Sequence, residues 1–197
     1  MKIKYYGNSC FRFSGKVSKM VTNPKDKGVK MSLKRIKPDI VVKSHKGENK
    51  GYEGMYVIAN PGEYEIKDIF VYGYLSESES NENIADIYMF DIENIHIGYI
   101  DRKVEAMKQS IIKDMGIVNV LFVSLAGDAG MKMTKISDLV NKIEPQIVIP
   151  MDYTSKNLEK FAKIQGVKSL EEETKLNIKK NDFAEEDMPL RIIVLKK

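Results

Sequence analysis

Cysteine is almost missing from this chain of 197 residues, where Cys10 stands alone. A single thiol excludes an internal disulfide and any thiolate metal cluster built within one chain. Histidine is nearly as scarce, with only His45 and His96, so imidazole chemistry has two places to reside. No apolar run is long enough to span a bilayer, and the opening Met1-Lys-Ile-Lys-Tyr-Tyr is strand-like, with no apolar segment of signal-peptide type. No membrane association and a reducing, cytoplasmic location are the expectations. An excess of one charge is also lacking: 32 basic and 28 acidic residues, net +4, are interspersed. That describes an ordinary soluble surface with only a slight pull toward anionic partners. With 43% hydrophobic residues, the length suits one well-filled core, and residues 1–197 are read as one domain.

The first half patterns as short strands. Residues 2–6, 9–14 and 16–22 form a meander joined by Gly7-Asn8 and Ser14-Gly15, where tight turns need positive φ. Asn23 to Lys37 carries five lysines and one arginine and reads as a solvated loop or frayed helix. Asp39-Ile-Val-Val, bounded by Pro38, is a buried strand, followed by a polar loop that opens with His45. Met55–Asn60, the turn Pro61-Gly62 and the alternating stretch Glu63–Tyr74 continue the strands. Ser76–Asn83 is a polar tip, and residues 85–91 and 95–100 form a hairpin around Glu93-Asn94.

From Val104 the period changes. Val104, Met107, Ile111, Ile112 and Met115 share one helical face, which Gly116 ends. Ile117–Leu125 is an apolar strand. Ala126–Gly130 is a small-residue loop without the pattern of a nucleotide site, and it feeds a helix over Thr134–Glu144. Pro145–Tyr153 is again apolar, Ser155–Gln165 is helical, and strands over 174–179 and 190–196 close the chain.

Several motifs then converge. Pro38-Asp39 through Ser44-His45-Lys-Gly47-Glu48-Asn49-Lys50 resembles the signature of metallo-β-lactamase-fold hydrolases, in which a strand ends in a Ser/Thr-His-x-His-x-Asp-His loop of metal ligands. Gly7-Asn8-Ser9-Cys10-Phe11 is similar to the family's Gly-His-Ser/Ala-x-Phe. Pro61-Gly62-Glu63-Tyr64-Glu65 is similar to a segment of its short zinc-dependent branch, related to ascorbate-phosphate lactonases. Gly98-Tyr99 stands where the family has Gly-Asp, and Ile149-Pro150-Met151-Asp152-Tyr153 where it has Ile-Pro-Met-His-Tyr/Phe. The resemblance covers nearly the whole chain and implies an α+β fold, a four-layer αββα sandwich of two mixed sheets with outer helices.

It also implies a remnant cleft formed by His45, Gly47, Asn49, Lys50, Tyr99 and Asp152, in which His45 alone is an unaltered ligand. A hydrolytic zinc site needs about three protein ligands and an open position for water. A phenol at Tyr99 is no substitute for a bridging carboxylate at neutral pH, and an ammonium at Lys50 repels a divalent cation. An ion pair between Lys50 and Asp152 is the expected replacement for the metal. Ser44 and His45, adjacent in an extended strand, are expected on opposite faces, which disfavours nucleophilic catalysis.

The expectation is therefore a metal-free, catalytically degenerate protein without a cofactor that binds a small molecule or a protein, as a monomer or homo-oligomer. The alternative is a metal-dependent hydrolase of a phosphoester, lactone or thioester, with one divalent ion (zinc, manganese or magnesium) held by His45 and Asp152 with Asp101 or Glu48. A third reading, nucleic-acid binding through residues 25–37, ranks last because no aromatic residue interleaves the basic ones.

Overall fold

The computed structural model describes residues 1–46, 50–76, 83–101, 107–126, 132–185 and 188–197. The chain forms β1 (Lys2–Gly7), β2 (Cys10–Ser14), β3 (Lys19–Thr22), α1 (Leu33–Ile36), β4 (Ile40–Val42), β5 (Tyr56–Ile58), β6 (Gly62–Ile66), β7 (Ile69–Tyr74), β8 (Ile87–Ile92) and β9 (Ile95–Ile100). There follow α2 (Gln109–Met115), β10 (Val120–Ser124), α3 (Met133–Ile143), β11 (Ile147–Met151), α4 (Ser155–Ile164), β12 (Glu171–Glu173), β13 (Leu176–Asn177), a 3-10 turn at Lys180–Phe183 and β14 (Arg191–Leu195).

Two mixed sheets result. One has the order β13-β1-β2-β3-β4-β5, the other β12-β14-β11-β10-β9-β8-β7-β6. Alternation along the strands sends one set of side chains between the sheets and the other set outward. Ile3, Phe11, Phe13, Phe90, Tyr99 and Phe122 fill the space between the sheets, with ring contacts such as Phe11 to Phe122 at 4.7 Å. The outward face of the larger sheet is covered by the apolar sides of α2, α3 and α4, through Ile111, Met115, Ile136, Leu139, Val140 and Phe161. The outward face of the smaller sheet holds Val21 and Val41 against Ile36 of α1 and Tyr52. The αββα layering is thus present, with the smaller sheet covered by a single helical turn.

Four expectations about the elements are corrected. The third strand starts at Lys19 rather than at residue 16, because Gly15 N–H donates to the Ser18 carbonyl (3.0 Å) and the chain turns there. The alternating stretch 63–74 is a hairpin: Lys67 and Asp68, with φ of 49° and 62°, make the tight turn whose twist matches the flanking strands. The closing strand placed at 174–179 is only the short β13, and a further strand that was not expected, β12, precedes it in the other sheet. β13 pairs with β1, while the three glutamates of β12, poor strand formers, run parallel to β14. There Arg191 makes a two-pronged contact with Glu171 (2.8 and 2.6 Å) and Lys196 reaches Glu172 at 2.9 Å. The helix placed from Val104 begins, among the described residues, at Gln109; Val104 itself lies outside them, as do most of the tip at 76–83 and the small-residue loop at 126–130.

For the site, the key feature is direction. β3 and β4 run parallel, and β9, β10 and β11 run parallel, so their C-terminal ends gather at one end of the sandwich together with the β1–β2 turn. Ser44-His45, Asn23, Asp101, Ser124 and Asp152 all follow or end these strands.

Candidate functional site

Asn23 follows β3 in a left-handed conformation (φ 42°), which an Asn tolerates better than most residues. Its side-chain amide nitrogen lies 3.0 Å from Ser9 Oγ, 2.8 Å from Ser44 Oγ and 2.9 Å from the Tyr99 hydroxyl, while its carbonyl oxygen accepts the Ser44 N–H at 3.0 Å. The chain then turns through Pro24 and brings Asp26 back over the site. There the Asp26 carboxylate accepts from Ser9 Oγ at 3.0 Å and lies 2.5 Å from His45 Nε2. The other imidazole nitrogen, Nδ1, is 3.1 Å from Asp101 Oδ2, and the Ser44 hydroxyl donates to that same Asp101 oxygen.

These contacts close on themselves. Starting at Asp26, hydrogen bonds lead to His45, Asp101, Ser44, Asn23, Ser9 and back to Asp26. Burying polar groups is tolerable when each is satisfied, and this closed ring satisfies them among themselves. Burial alone would lower the His45 pKa, but its hydrogen bonds to Asp101 and Asp26 and their negative charge outweigh it and raise it to about 9. At neutral pH the ring therefore holds an imidazolium that donates from both nitrogens.

Tyr99 projects between the sheets with no exposed surface, and its hydroxyl donates to the Ser9 carbonyl at 2.8 Å. Burial, and then the neighbouring Asp101, raise its pKa well above the usual range, so the phenol stays neutral. Asp101 lies two residues on and turns to the same end. Asp152 sits apart from the ring at the end of β11, with φ of 51° and Ser124 Oγ 3.4 Å from its carboxylate. It lines an open cleft of about 590 Å³ with Tyr5, Asn8, Tyr153 and Lys197. His96 is on a half-exposed strand position, its Nδ1 3.6 Å from Asp91.

Two geometric expectations fail. Lys50 is exposed and forms no ion pair with Asp152 among the described residues, and the cation that pairs with carboxylates at the strand ends is the His45 imidazolium. Ser44 and His45 do not diverge: β4 ends at Val42, the backbone beyond it is no longer extended, and both side chains reach Asp101. Gly47, Glu48 and Asn49 lie outside the described residues. Asp26 and Asn23, central to the ring, were not singled out, because they sit in a Lys-rich stretch that composition marks as solvated. The one local signal was Thr22-Asn23-Pro24 directly after an apolar strand, where a turn must aim its side chains back at the strand end.

The residues present do not fit a resident divalent ion. A metal needs a lone pair on imidazole, and both nitrogens of His45 are committed to carboxylates at hydrogen-bond distance. Among the described residues no group of three or more His, Cys, Asp or Glu side chains is arranged to hold a metal.

The sheet order, the four layers and the cluster at the C-terminal strand ends are those of a metallo-β-lactamase-like fold. Residues 2–152 match the family model for the beta-lactamase superfamily domain, and the chain belongs to that superfamily. Among solved structures, one similar chain is a Thermotoga maritima protein described as a zinc-dependent hydrolase of the metallo-β-lactamase superfamily. It is 20% identical with a TM-score of 0.77, over 99% of this chain and 100% of that one. A metallo hydrolase from the archaeon Ignicoccus hospitalis is 14% identical with a TM-score of 0.68, over 90% and 99% of the two chains. An isothiocyanate hydrolase from Delia radicum gut bacteria is 10% identical with a TM-score of 0.66, over 91% and 99%. At these identities the likeness concerns the fold. No curated protein matches.

Proposed function

We propose that this protein is a metal-free, non-hydrolytic member of its superfamily that acts by binding a ligand at the cleft beside Asp152. One observation carries the reading: the His45 imidazole is clamped between Asp26 and Asp101 with both nitrogens engaged. In such a clamp the imidazolium supplies the positive charge that a bound cation would supply to the two carboxylates. Neither a metal-activated water nor an activated serine follows from the arrangement, since Ser44 donates to Asp101, a carboxylate that the imidazolium also engages. What stays open is the cleft, where Tyr5 and Tyr153 phenols, the Asn8 amide, the Asp152 carboxylate and the Lys197 ammonium offer directional polar contacts.

The test is elemental analysis of protein purified without chelator, a thermal melt with zinc, manganese and chelator, and assays on a phosphodiester, a lactone and a thioester. Negligible metal, an unmoved melt and no turnover are expected. About one equivalent of metal with turnover abolished by His45→Ala would overturn the proposal and favour a hydrolase with a remodelled mononuclear site.

A further inference from the structure

β1 ends at the hydrogen-bonded ring and begins, six residues earlier, at a different concavity. A cleft of about 830 Å³ opens there between the end of β2, the β8–β9 turn and the segment from β13 into the 3-10 turn. That volume is within the range of small-molecule sites. Four lysines from three separate stretches surround it, Lys2, Lys16, Lys179 and Lys180, and none of the four makes an ion pair within 4 Å among the described residues.

The cleft has two carboxylates, and both are engaged by N–H groups of its own walls. Glu93 accepts from the Lys16 backbone N–H at 2.6 Å and from the Met1 amine at 3.0 Å, and Asp182 accepts from the Lys179 backbone N–H at 2.9 Å. They brace the walls, and neither makes an ion pair within 4 Å with a lysine side chain among the described residues, although Glu93 feels the Lys16 charge. Four like charges around one concavity repel one another, and a concave wall concentrates their field. A multiply charged anion relieves that repulsion, and the Asn177 and Asn181 side chains at the same wall add neutral donors.

We infer that this cleft is a binding site for a small polyanion, a molecule carrying two or more phosphate or carboxylate groups, held by Lys2, Lys16, Lys179 and Lys180. It stands apart from the Asp152 cleft and from the ring, and it does not depend on whether the protein retains any hydrolytic activity.

Inorganic tripolyphosphate is the probe, followed by calorimetry and by amide chemical shifts. Binding is expected to weaken as salt rises from about 0.1 M to about 1 M, which shortens the screening length from roughly 10 Å to roughly 3 Å. The triple variant Lys16→Ala, Lys179→Ala, Lys180→Ala is expected to weaken it about tenfold or more, with an unchanged melt because all three side chains are exposed. Shifts should concentrate at Ser14–Lys16 and Asn177–Asn181. A control, Lys160→Ala with Lys163→Ala on the exposed side of α4, should bind as the parent does. No binding of tripolyphosphate, equal loss in the control, or a single-stranded oligonucleotide bound more tightly at the same lysines would each overturn the inference.

Discussion

His45 Nε2 and Asp26 Oδ1, nineteen residues apart in the chain, meet at 2.5 Å where the chain leaving β3 folds back over the end of β4. Together with Asp101 on the other imidazole nitrogen, the contact turns an ionisable group into a structural tie.

Stability should therefore depend on pH in the alkaline range. Folding raises the His45 pKa from 6.5 to about 9, so the protonated ring is favoured by the native state. Its contribution is complete below about pH 6.5 and disappears as pH rises through about 9, and a gap of that size corresponds to roughly 3 kcal/mol. Burial also pushes the Cys10 ionisation upward in the native state, so the thiol, which in the unfolded chain titrates near 9.0, adds a smaller decline of the same sign at the alkaline end. Urea unfolding at pH 6 and pH 9.5 measures the difference, and His45→Gln should flatten it. A parent protein equally stable at both pH values would refute the imidazolium clamp.

Tyr99→Phe should cost about 1–2 kcal/mol in the same unfolding experiment. The hydroxyl is fully buried and is shared by Asn23 and the Ser9 carbonyl, yet both keep other partners: Asn23 retains Ser9 and Ser44, and the Ser9 carbonyl retains Thr22 Oγ1 at 2.8 Å. A loss as large as a truncated aromatic ring would mean that the network collapses as a unit.

Gly98 is required by α2 and not by its own backbone. A Cβ there would lie 2.8 Å from both Leu121 Cδ1 and Met115 Cε. Gly98→Ala should destabilise by about 1–3 kcal/mol, toward the lower figure because both neighbours are flexible side-chain ends. Adding Leu121→Val should recover part of that loss, as read from the shift in thermal midpoint. No recovery would place the strain elsewhere.

Restoring the family's histidine by Asp152→His should not restore a metal site. His45 would still have both nitrogens engaged by carboxylates, so zinc content by elemental analysis should remain far below stoichiometric. Adding Asp26→Asn to that variant removes one of the two carboxylates that keep His45 protonated, and any gain in zinc should appear only there.

Much of the fold was legible because the hydrophobic period is strong where the core is made. β8, β9, β10 and β11 are nearly continuous apolar strands, and α3 and α4 present clean apolar faces. Tight turns were less legible where residues other than glycine adopt positive φ, as Lys67-Asp68 shows. β12 was invisible because three glutamates form a strand only when β14 is beside them. At the site, losses were easier to read than replacements. Substituted ligand positions stand out against a motif, whereas Asp26 and Asn23 gain their roles only from where the chain leaves β3, and Lys50 was assigned a charge role that a nearer imidazole fills.

The hydrogen-bonded ring draws its members from both sheets, and the contact between His45 and Asp101 spans fifty-six positions of sequence. During synthesis the first four strands can therefore assemble with Asp26 on one side of the imidazole and nothing yet on the other. In that interval the histidine lacks one of the two carboxylates that raise its pKa in the finished fold. Only when β9 docks does Asp101 arrive, so any metal encountered by the growing chain has to compete with a carboxylate of the same chain that has yet to emerge.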